Sequence, residues 1–287
     1  MKSYSKLRMI KITPEENDLF CQYIQDLSGI HLDRNKAYLL ETRLAGLLEE
    51  EGCASFTELY HETKNINNQA VKQKIVDRIL TNETFFFRDT RPFELLQHKI
   101  LPDLIDARRA GSSGFFPTRI RIWSAACSTG QEVYSTAIVL KELLHDFKGY
   151  QIQLLGTDLS NRAIAQASSG EYNQFEIKRG LSDDKLNKYF IHDGGIWKIR
   201  DEIRAMVTFK KINLLDPFRD LGRFDVVFCR NVGVYFSMET RKKLFAKIAD
   251  VLEKDGYLII GATESLMNVD PGFISRRYLR SVFYQLK

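Results

Sequence analysis

Residues 123–132, Trp-Ser-Ala-Ala-Cys-Ser-Thr-Gly-Gln-Glu, join an extended apolar run to a helix-like run that follows from Thr136 to Leu144. A strand, a tight turn of small residues and a helix form the usual support for a phosphate or a nucleoside. A dinucleotide fold shows G-x-G-x-x-G at this place, and this turn has only Gly130. The glycines that let a pyrophosphate approach the backbone are therefore missing. Glu132, in the first helical turn, would repel a polyphosphate and attract an ammonium group. Asp158 ends the next apolar run, and a carboxylate there accepts hydrogen bonds from the hydroxyls of a ribose. Taken singly, Asp158 reads as a turn residue and Glu132 as a favourable charge near a helix N-terminus. Together they describe a nucleoside with a cationic amino-acid tail, which is S-adenosylmethionine.

These groups must be carried by a sheet. Apolar runs at 119–126, 152–157, 207–212, 224–229 and 257–262 alternate with helical patterns, which predicts a parallel, doubly wound α/β sheet. Two more run ends are polar, Asn213-Leu214 and Cys229-Arg230-Asn231, and ligands bind at the carboxyl ends of such strands. Ile274 to Leu286 reads as one or two closing strands. About 36 residues separate the helix near 160–169 from the strand at Val207, far more than a usual loop. That stretch has a helix start at Ser182 and a hairpin signal, Asp193-Gly194-Gly195, between Tyr189-Phe-Ile and Ile196-Trp-Lys-Ile. It is expected to be a small inserted subdomain, about 171–206.

Residues 1–80 read as a separate helical domain, followed by an α/β domain over 81–287. Thr13-Pro14-Glu15-Glu16 combines an N-cap, a first-turn proline and a capping-box glutamate, and Gly29 suits the helix end. Ala37, Leu40, Leu44, Leu47 and Leu48 recur at helical spacing, Ser55 to Glu58 is a second capping box, and Val71, Ile75 and Ile79 mark a further helix. After Pro92, the residues Phe93, Leu96, Ile100, Leu101 and Leu104 mark a helix, and Gly111-Ser-Ser-Gly114 a flexible connection.

Composition narrows the function. The 287 residues suit two domains, with no apolar leader after Met1 and no run near the ~18 residues that span a bilayer. Cys21, Cys53, Cys127 and Cys229 form no C-x-x-C pair and the five histidines no H-x-x-x-H, so no zinc site is expected. Reduced thiols in the cytoplasm are expected. Residues 1–80 hold 11 of the 42 Lys/Arg and 12 of the 37 Asp/Glu, leaving 31 against 25 in the remainder. That basic excess suits an acidic partner and equally an ordinary solvated surface.

Three blocks carry a closer likeness: residues 81–88, Thr-Asn-Glu-Thr-Phe-Phe-Phe-Arg; residues 123–132; and residues 224–236, Phe-Asp-Val-Val-Phe-Cys-Arg-Asn-Val-Gly-Val-Tyr-Phe. They closely resemble the bacterial chemotaxis-receptor glutamate methyltransferases of the CheR family, and the match extends through Asn213-Leu-Leu and Asp255-Gly-Tyr-Leu. The resemblance implies a helical N-terminal domain and a Rossmann-like class I methyltransferase domain with an inserted antiparallel β-subdomain. It implies S-adenosylmethionine as methyl donor, S-adenosylhomocysteine as product and no metal. Cofactor contacts are implied at Asn82, Thr84, Arg88, Glu132, Asp158, Asn213, Leu214, Arg230 and Asn231. Arg88 and Tyr235 are placed at the methyl-transfer site, and the first and fourth strands side by side, with Cys127 and Cys229 close but unbonded. The implied partners are cytoplasmic helices of chemoreceptors, docking through Arg34, Lys36, Arg43 and the 171–206 insert of a monomer.

Some positions depart from the family pattern. Glu49, Glu50 and Glu51 reverse the charge at the end of a helix that is often basic. Gly233 replaces a bulkier apolar residue, and the loop at 193–195 is short, as in members that bind no receptor tether peptide. Two other classes fit less well. A nucleic-acid methyltransferase should show D/N-P-P-Y/F or a Pro-Cys nucleophile, yet Asn231 precedes Val-Gly-Val and Cys229 follows Phe228. A non-enzymatic cofactor-binding scaffold has no need of both Arg88 and Tyr235.

Overall fold

The computed structural model describes residues 10–65, 68–110, 117–144, 147–269 and 272–287. The connection expected at 111–114 lies outside them. The chain divides into two compact units, Met1–Thr81 and Asn82–Lys287.

Among the described residues the first unit has four α-helices: α1 (Pro14–Ser28), α2 (Ala37–Glu50), α3 (Phe56–Lys64) and α4 (Gln69–Ile79). Their apolar stripes meet in a core of Phe20, Ile24, Leu40, Leu44, Leu47, Phe56, Leu59, Val71 and Ile75, each at most 2% exposed. Gly29 ends α1 in the left-handed conformation, φ 79°. The Ser55 hydroxyl accepts the Glu58 amide, but the Glu58 carboxylate reaches past the cap to the amide of Ala54 (2.6 Å), so the expected reciprocal box is not closed. The basic residues expected to dock a partner differ in their situation. Arg34 and Lys36 stand exposed on a 3-10 turn, Arg34 3.3 Å from Asp18. Arg43 is half-buried and donates to the Ile79 carbonyl and the Thr81 hydroxyl, so it closes the end of α4.

The second unit opens with α5 (Arg91–Leu95), which runs through a π-helical turn into α6 (Leu101–Ala110). Then follow β1 (Thr118–Ala125), α7 (Gln131–Leu143), β2 (Tyr150–Asp158) and α8 (Asn161–Ser169). The insert contributes β3 (Glu171–Tyr172), α9 (Gln174–Lys178), α10 (Asp183–Tyr189), β4 (Phe190–Asp193), β5 (Ile196–Ile199) and α11 (Asp201–Arg204). The chain closes with β6 (Val207–Lys211), β7 (Phe224–Cys229), α12 (Met238–Val251), β8 (Leu252–Ile260), β9 (Phe273–Tyr278) and β10 (Ser281–Leu286).

A seven-stranded sheet runs β6-β2-β1-β7-β8-β10-β9, parallel from β6 to β8, with the β9–β10 hairpin antiparallel at one edge. β7 is buried along its whole length, as a central strand covered on both faces must be. The insert forms a separate antiparallel sheet, β3-β5-β4. Its hairpin turn is the two residues Gly194 and Gly195, both left-handed, since Asp193 already pairs with Ile196. Two left-handed residues define the turn type that glycine favours in a two-residue hairpin. The brief strand β3 and the short helices α9 and α11 carry too few residues for a periodicity to announce them.

Glu16 ties α1 to α3. One carboxylate oxygen accepts the Thr13 amide (3.0 Å), the other the amide and hydroxyl of Thr57 (2.8 and 3.0 Å). Burial pushes its pKa up, but the hydrogen bonds from Thr13 and Thr57 outweigh this and leave it below the ordinary value. A lowered folded-state pKa gives stability that is present above the unfolded value and lost as pH falls through the folded one. Glu16→Gln should therefore cost about 1.5–3 kcal/mol at pH 7, with the gap to wild type closing below about pH 4. Urea unfolding of both proteins at pH 7 and pH 3 checks this; a gap equal at the two pH values would refute the role of the charge.

Candidate active site

The turn after β1 is strained. Ala126 (φ 59°) and Ser128 (φ 51°) hold left-handed conformations without being glycine, and Gly130 follows at 93°. Such residues each cost on the order of 1–3 kcal/mol and persist only where surroundings enforce them. Here the Cys127 amide donates to Thr157 O (2.8 Å), the Ser128 amide to Asp158 Oδ2 (2.8 Å) and the Ser128 hydroxyl to Asn82 O (3.2 Å). The Tyr172 hydroxyl, from the insert, donates to Thr129 O (2.8 Å). Gly130 owes its identity to packing as well as to φ. A Cβ on it would stand 2.9 Å from Ala167 Cβ and 3.2 Å from the Phe209 ring, so the space beside it is filled by protein.

Asp158, 8% exposed, ends β2 and accepts the amides of Ser128 (2.8 Å) and Ser160 (2.9 Å). Its carboxylate is thus fixed by two backbone donors, and a carboxylate oxygen accepts more than one hydrogen bond. Glu132 sits in the first turn of α7. Its oxygens accept from the Ser124 hydroxyl (2.7 Å) and from Arg230 Nη1 (2.8 Å). The sequence reading treats Glu132 and Arg230 as separate contacts; the structure makes them partners. The reason is burial, because the Arg230 side chain is only 1% exposed and a cation so placed needs anions. Its Nη2 also donates to Asp89 Oδ2 (2.7 Å) and to the carbonyl of Arg88 (2.9 Å).

Arg88 itself is half-buried. Its Nη1 donates to Glu83 O (2.7 Å), and its guanidinium lies 5.6 Å from the Phe85 ring centre. The segment is anchored by Phe86, fully buried edge-on against Tyr172 (5.0 Å) and Phe190 (5.3 Å), and by the Phe87 amide on Ser135 Oγ (2.9 Å). Phe85 and Phe87 are only partly buried. Arg179 clamps the same segment through Glu83 (2.6 Å). Next to it Gly180 is left-handed, and a Cβ there would lie 2.0 Å from Phe86 O.

Asn231 and Tyr235 follow β7. Asn231 is left-handed (φ 57°), and Glu264 Oε2 accepts both its amide and that of Gly261 (2.7 Å each). Tyr235 lies on a 3-10 turn, Gly233–Tyr235, and is 42% exposed. Gly233 is not left-handed, but a Cβ on it would lie 3.1 Å from Glu264 Oε1. Asn213 Oδ1 accepts the Leu215 amide (3.0 Å), and the Leu214 side chain is 8% exposed. The side chains of Thr84 and Tyr235 have no hydrogen-bond partner among the described residues.

Direct contacts therefore join Asn82, the turn and Asp158 in one group, and Arg88, Arg230 and Glu132 in another; Asn213, Leu214, Asn231 and Tyr235 stand at neighbouring strand ends. Sequence reasoning misses Asp89, Ser124, Ser128, Arg179 and Glu264. Of these, Asp89 alone has a local signal, an acid directly after Arg88. Cys127 and Cys229 are both free and buried, and burial pushes both thiols far up, with Asp158 and Glu132 adding to it at Cys127. They are not nucleophiles.

The carboxylates, the small-residue turn and the filled space beside Gly130 fit a nucleoside with an amino-acid tail better than a pyrophosphate. Arg230→Lys should test the buried pairing, because a single ammonium nitrogen cannot stand in for the two guanidinium nitrogens that reach Glu132 on one side and Arg88 and Asp89 on the other. The variant should lose about 2–4 kcal/mol of stability, read as a lower urea midpoint. Unchanged stability would mean that the pairing is not what holds these strand ends.

The profile of the CheR methyltransferase SAM binding domain matches residues 82–278, and that of the CheR methyltransferase all-alpha domain matches residues 15–80. Chemotaxis protein methyltransferase 1 of Pseudomonas aeruginosa is 38% identical over 274 residues, 94% of this chain and 97% of that protein. The chemotaxis protein methyltransferase of Vibrio parahaemolyticus is 34% identical over 281 residues, 97% of this chain and 99% of its own length. That of Borreliella burgdorferi is 34% identical, covering 90% of each. With the helical unit, the parallel sheet and the polar carboxyl edge already in place, the chain belongs to the CheR methyltransferase family and is an S-adenosylmethionine-dependent methyltransferase.

Proposed function

We propose that this protein transfers the methyl group of S-adenosylmethionine to glutamate side chains of chemoreceptors, forming the methyl esters used in chemotaxis adaptation. The observation that carries the reading is Arg88, a partly exposed guanidinium on a segment locked by Arg230 and Arg179 beside the cofactor edge. On this reading Asp158 meets the ribose, and Asn82, Thr84, Asn213, Leu214 and Asn231 line the remainder of the cofactor. Glu132 faces the ammonium group while its other side is held by Arg230.

The bound cofactor supplies a sulfonium methyl, an electrophile that needs no metal. A glutamate is already ionised near pH 7, so the chain needs no general base. Arg88 orients the acceptor carboxylate, and the Tyr235 hydroxyl borders the methyl group. Opposite charges are neutralised in the transition state, so the protein gains by excluding water and by holding the reacting atoms about 3–3.5 Å apart in line. The protein acts as a monomer in the cytoplasm. It docks acidic receptor helices through Arg34, Lys36 and the insert, with Arg43 closing the end of α4 instead.

Asp158→Ala should weaken S-adenosylhomocysteine binding by about 1–3 kcal/mol, measured calorimetrically at a temperature where the variant is shown to be folded. Unchanged affinity would remove the placement of the ribose. Tritiated-methyl transfer to receptor-bearing membranes, as a base-labile ester that releases tritiated methanol on alkaline treatment, tests the activity. Cofactor binding without any transfer would indicate a scaffold instead. Arg34→Glu with Lys36→Glu should reduce receptor methylation several-fold and leave cofactor affinity unchanged, since exposed pairs contribute about 0–1 kcal/mol each. Arg43 is excluded from that variant because its loss would disturb α4.

A further inference from the structure

The basic excess of the second unit has a place where it is unpaired. Arg91, Arg276, Arg277 and Arg280 are all exposed, and none forms a salt bridge or donates a side-chain hydrogen bond among the described residues. Arg108, Arg179 and Arg230, by contrast, are each paired with carboxylates. Three of the unpaired four lie on the β9–β10 hairpin, whose turn is Leu279 and Arg280.

Register puts that turn on the active-site side. Tyr284 pairs antiparallel with Leu258, which brings Ser281 level with Gly261, the first residue past β8. The turn therefore projects from the carboxyl edge of the parallel strands. β10 lies two strands beyond β7, about 10 Å at the usual strand spacing. The hairpin is also held to the segment that begins three residues after Arg88. Ser281 Oγ donates to the carbonyl of Arg91 (3.4 Å) and the Tyr278 hydroxyl to that of His98 (3.5 Å).

Leu279 is the second, independent sign. It is left-handed (φ 52°) and 85% exposed. A turn position of this kind favours glycine or asparagine, so a leucine here is both strained and largely exposed to water. Val282, opposite Arg277, is a further exposed apolar residue. Arg276 pairs with Phe283 and Arg277 with Val282, so the two arginines leave opposite faces of the edge and flank the tip. An apolar point ringed by unpaired guanidinium groups is complementary to an acidic amphipathic helix. Two turns of such a helix cover about 11 Å, the span from the strand that leads to Tyr235 to this tip.

We propose that the tip of the C-terminal hairpin, Leu279 and Arg280 flanked by Arg276, Arg277 and Arg91, is a docking surface for the acidic helix that presents the acceptor glutamate; this rests on the receptor-methylation reading. Arg276→Glu, Arg277→Glu and Arg280→Glu combined should raise the KM for a soluble cytoplasmic receptor fragment about ten-fold or more. Its kcat at saturation and its S-adenosylhomocysteine affinity should stay within about two-fold, with a flatter salt dependence. Leu279→Gly separates docking from folding, because glycine relieves the left-handed strain. It should keep or raise the melting temperature and still raise KM. An unchanged KM in both variants, with wild type methylating the fragment, overturns the surface and leaves the receptor reading intact. Absence of methylation by wild type overturns both. Loss of binding to receptor-free vesicles of anionic lipid, with KM for the fragment unchanged, would make the surface a membrane contact and likewise overturn the proposal.

Discussion

Arg230 carries a full charge to a place where its side chain is 1% exposed, and much else at the site is arranged to make that tolerable. Desolvating a guanidinium costs several kcal/mol unless anions and acceptors replace the water. The replacements come from two separate stretches: Glu132 on α7, and the Asp89 carboxylate with the adjacent carbonyl of Arg88 after the aromatic run. One residue at the end of β7 thereby fixes the end of β1, through Glu132 and Ser124, together with the segment that carries Arg88. The arrangement is tight because planar guanidinium donors tolerate little displacement. A site that must hold two reacting atoms in line benefits from such rigidity more than from any single contact to the substrate.

Backbone strain falls where this network acts. Of the eight described non-glycine residues with positive φ, six are Phe87, Asp89, Thr90, Ala126, Ser128 and Asn231. All lie in the segment before α5, the turn after β1 or the end of β7. Each is enforced by a named partner or a neighbour that has one: Ser135 for Phe87, Arg230 for Asp89, Asp158 for Ser128 and Glu264 for Asn231. The single glycine of the β1 turn is thus understandable. A pyrophosphate cradle needs glycines so that backbone can approach ligand, whereas here Asp158 and Asn82 hold non-glycine residues in the turn, and the one glycine admits Ala167 and Phe209.

Much of this was legible in the sequence, and the boundary of legibility is physical. The strands β1, β2, β7 and β8 carry apolar runs where both faces are buried, β6 lies half-exposed at the sheet edge, and the helices of the first unit show their stripes and caps. Asp158 and Glu132 stand out by position relative to those runs. What could not be read was pairing across distance: nothing local links Glu132 to Arg230, 98 residues apart, or Glu264 to Asn231. Arg43 shows the same limit in reverse. As a sequence symbol it is a surface cation on a helix, but its guanidinium is used inside its own unit. Short elements such as β3 were invisible because two residues carry no period.

Yet β3 matters more than its length suggests. Its Tyr172 is buried, bonds the carbonyl of Thr129 in the β1 turn, and packs edge-on against Phe86 two residues before Arg88. Arg179 and Gly180, also in the insert, grip the same segment through Glu83 and the Phe86 carbonyl. The insert is therefore packed against the turn after β1 and the Arg88 segment as well as carrying exposed residues such as Phe175 and Ile191. Any partner that engages its outer strands presses on a body whose inner residues fix both the turn after β1 and the Arg88 segment. The insert and the segment that carries Arg88 are in this way mechanically joined by a few buried aromatic contacts.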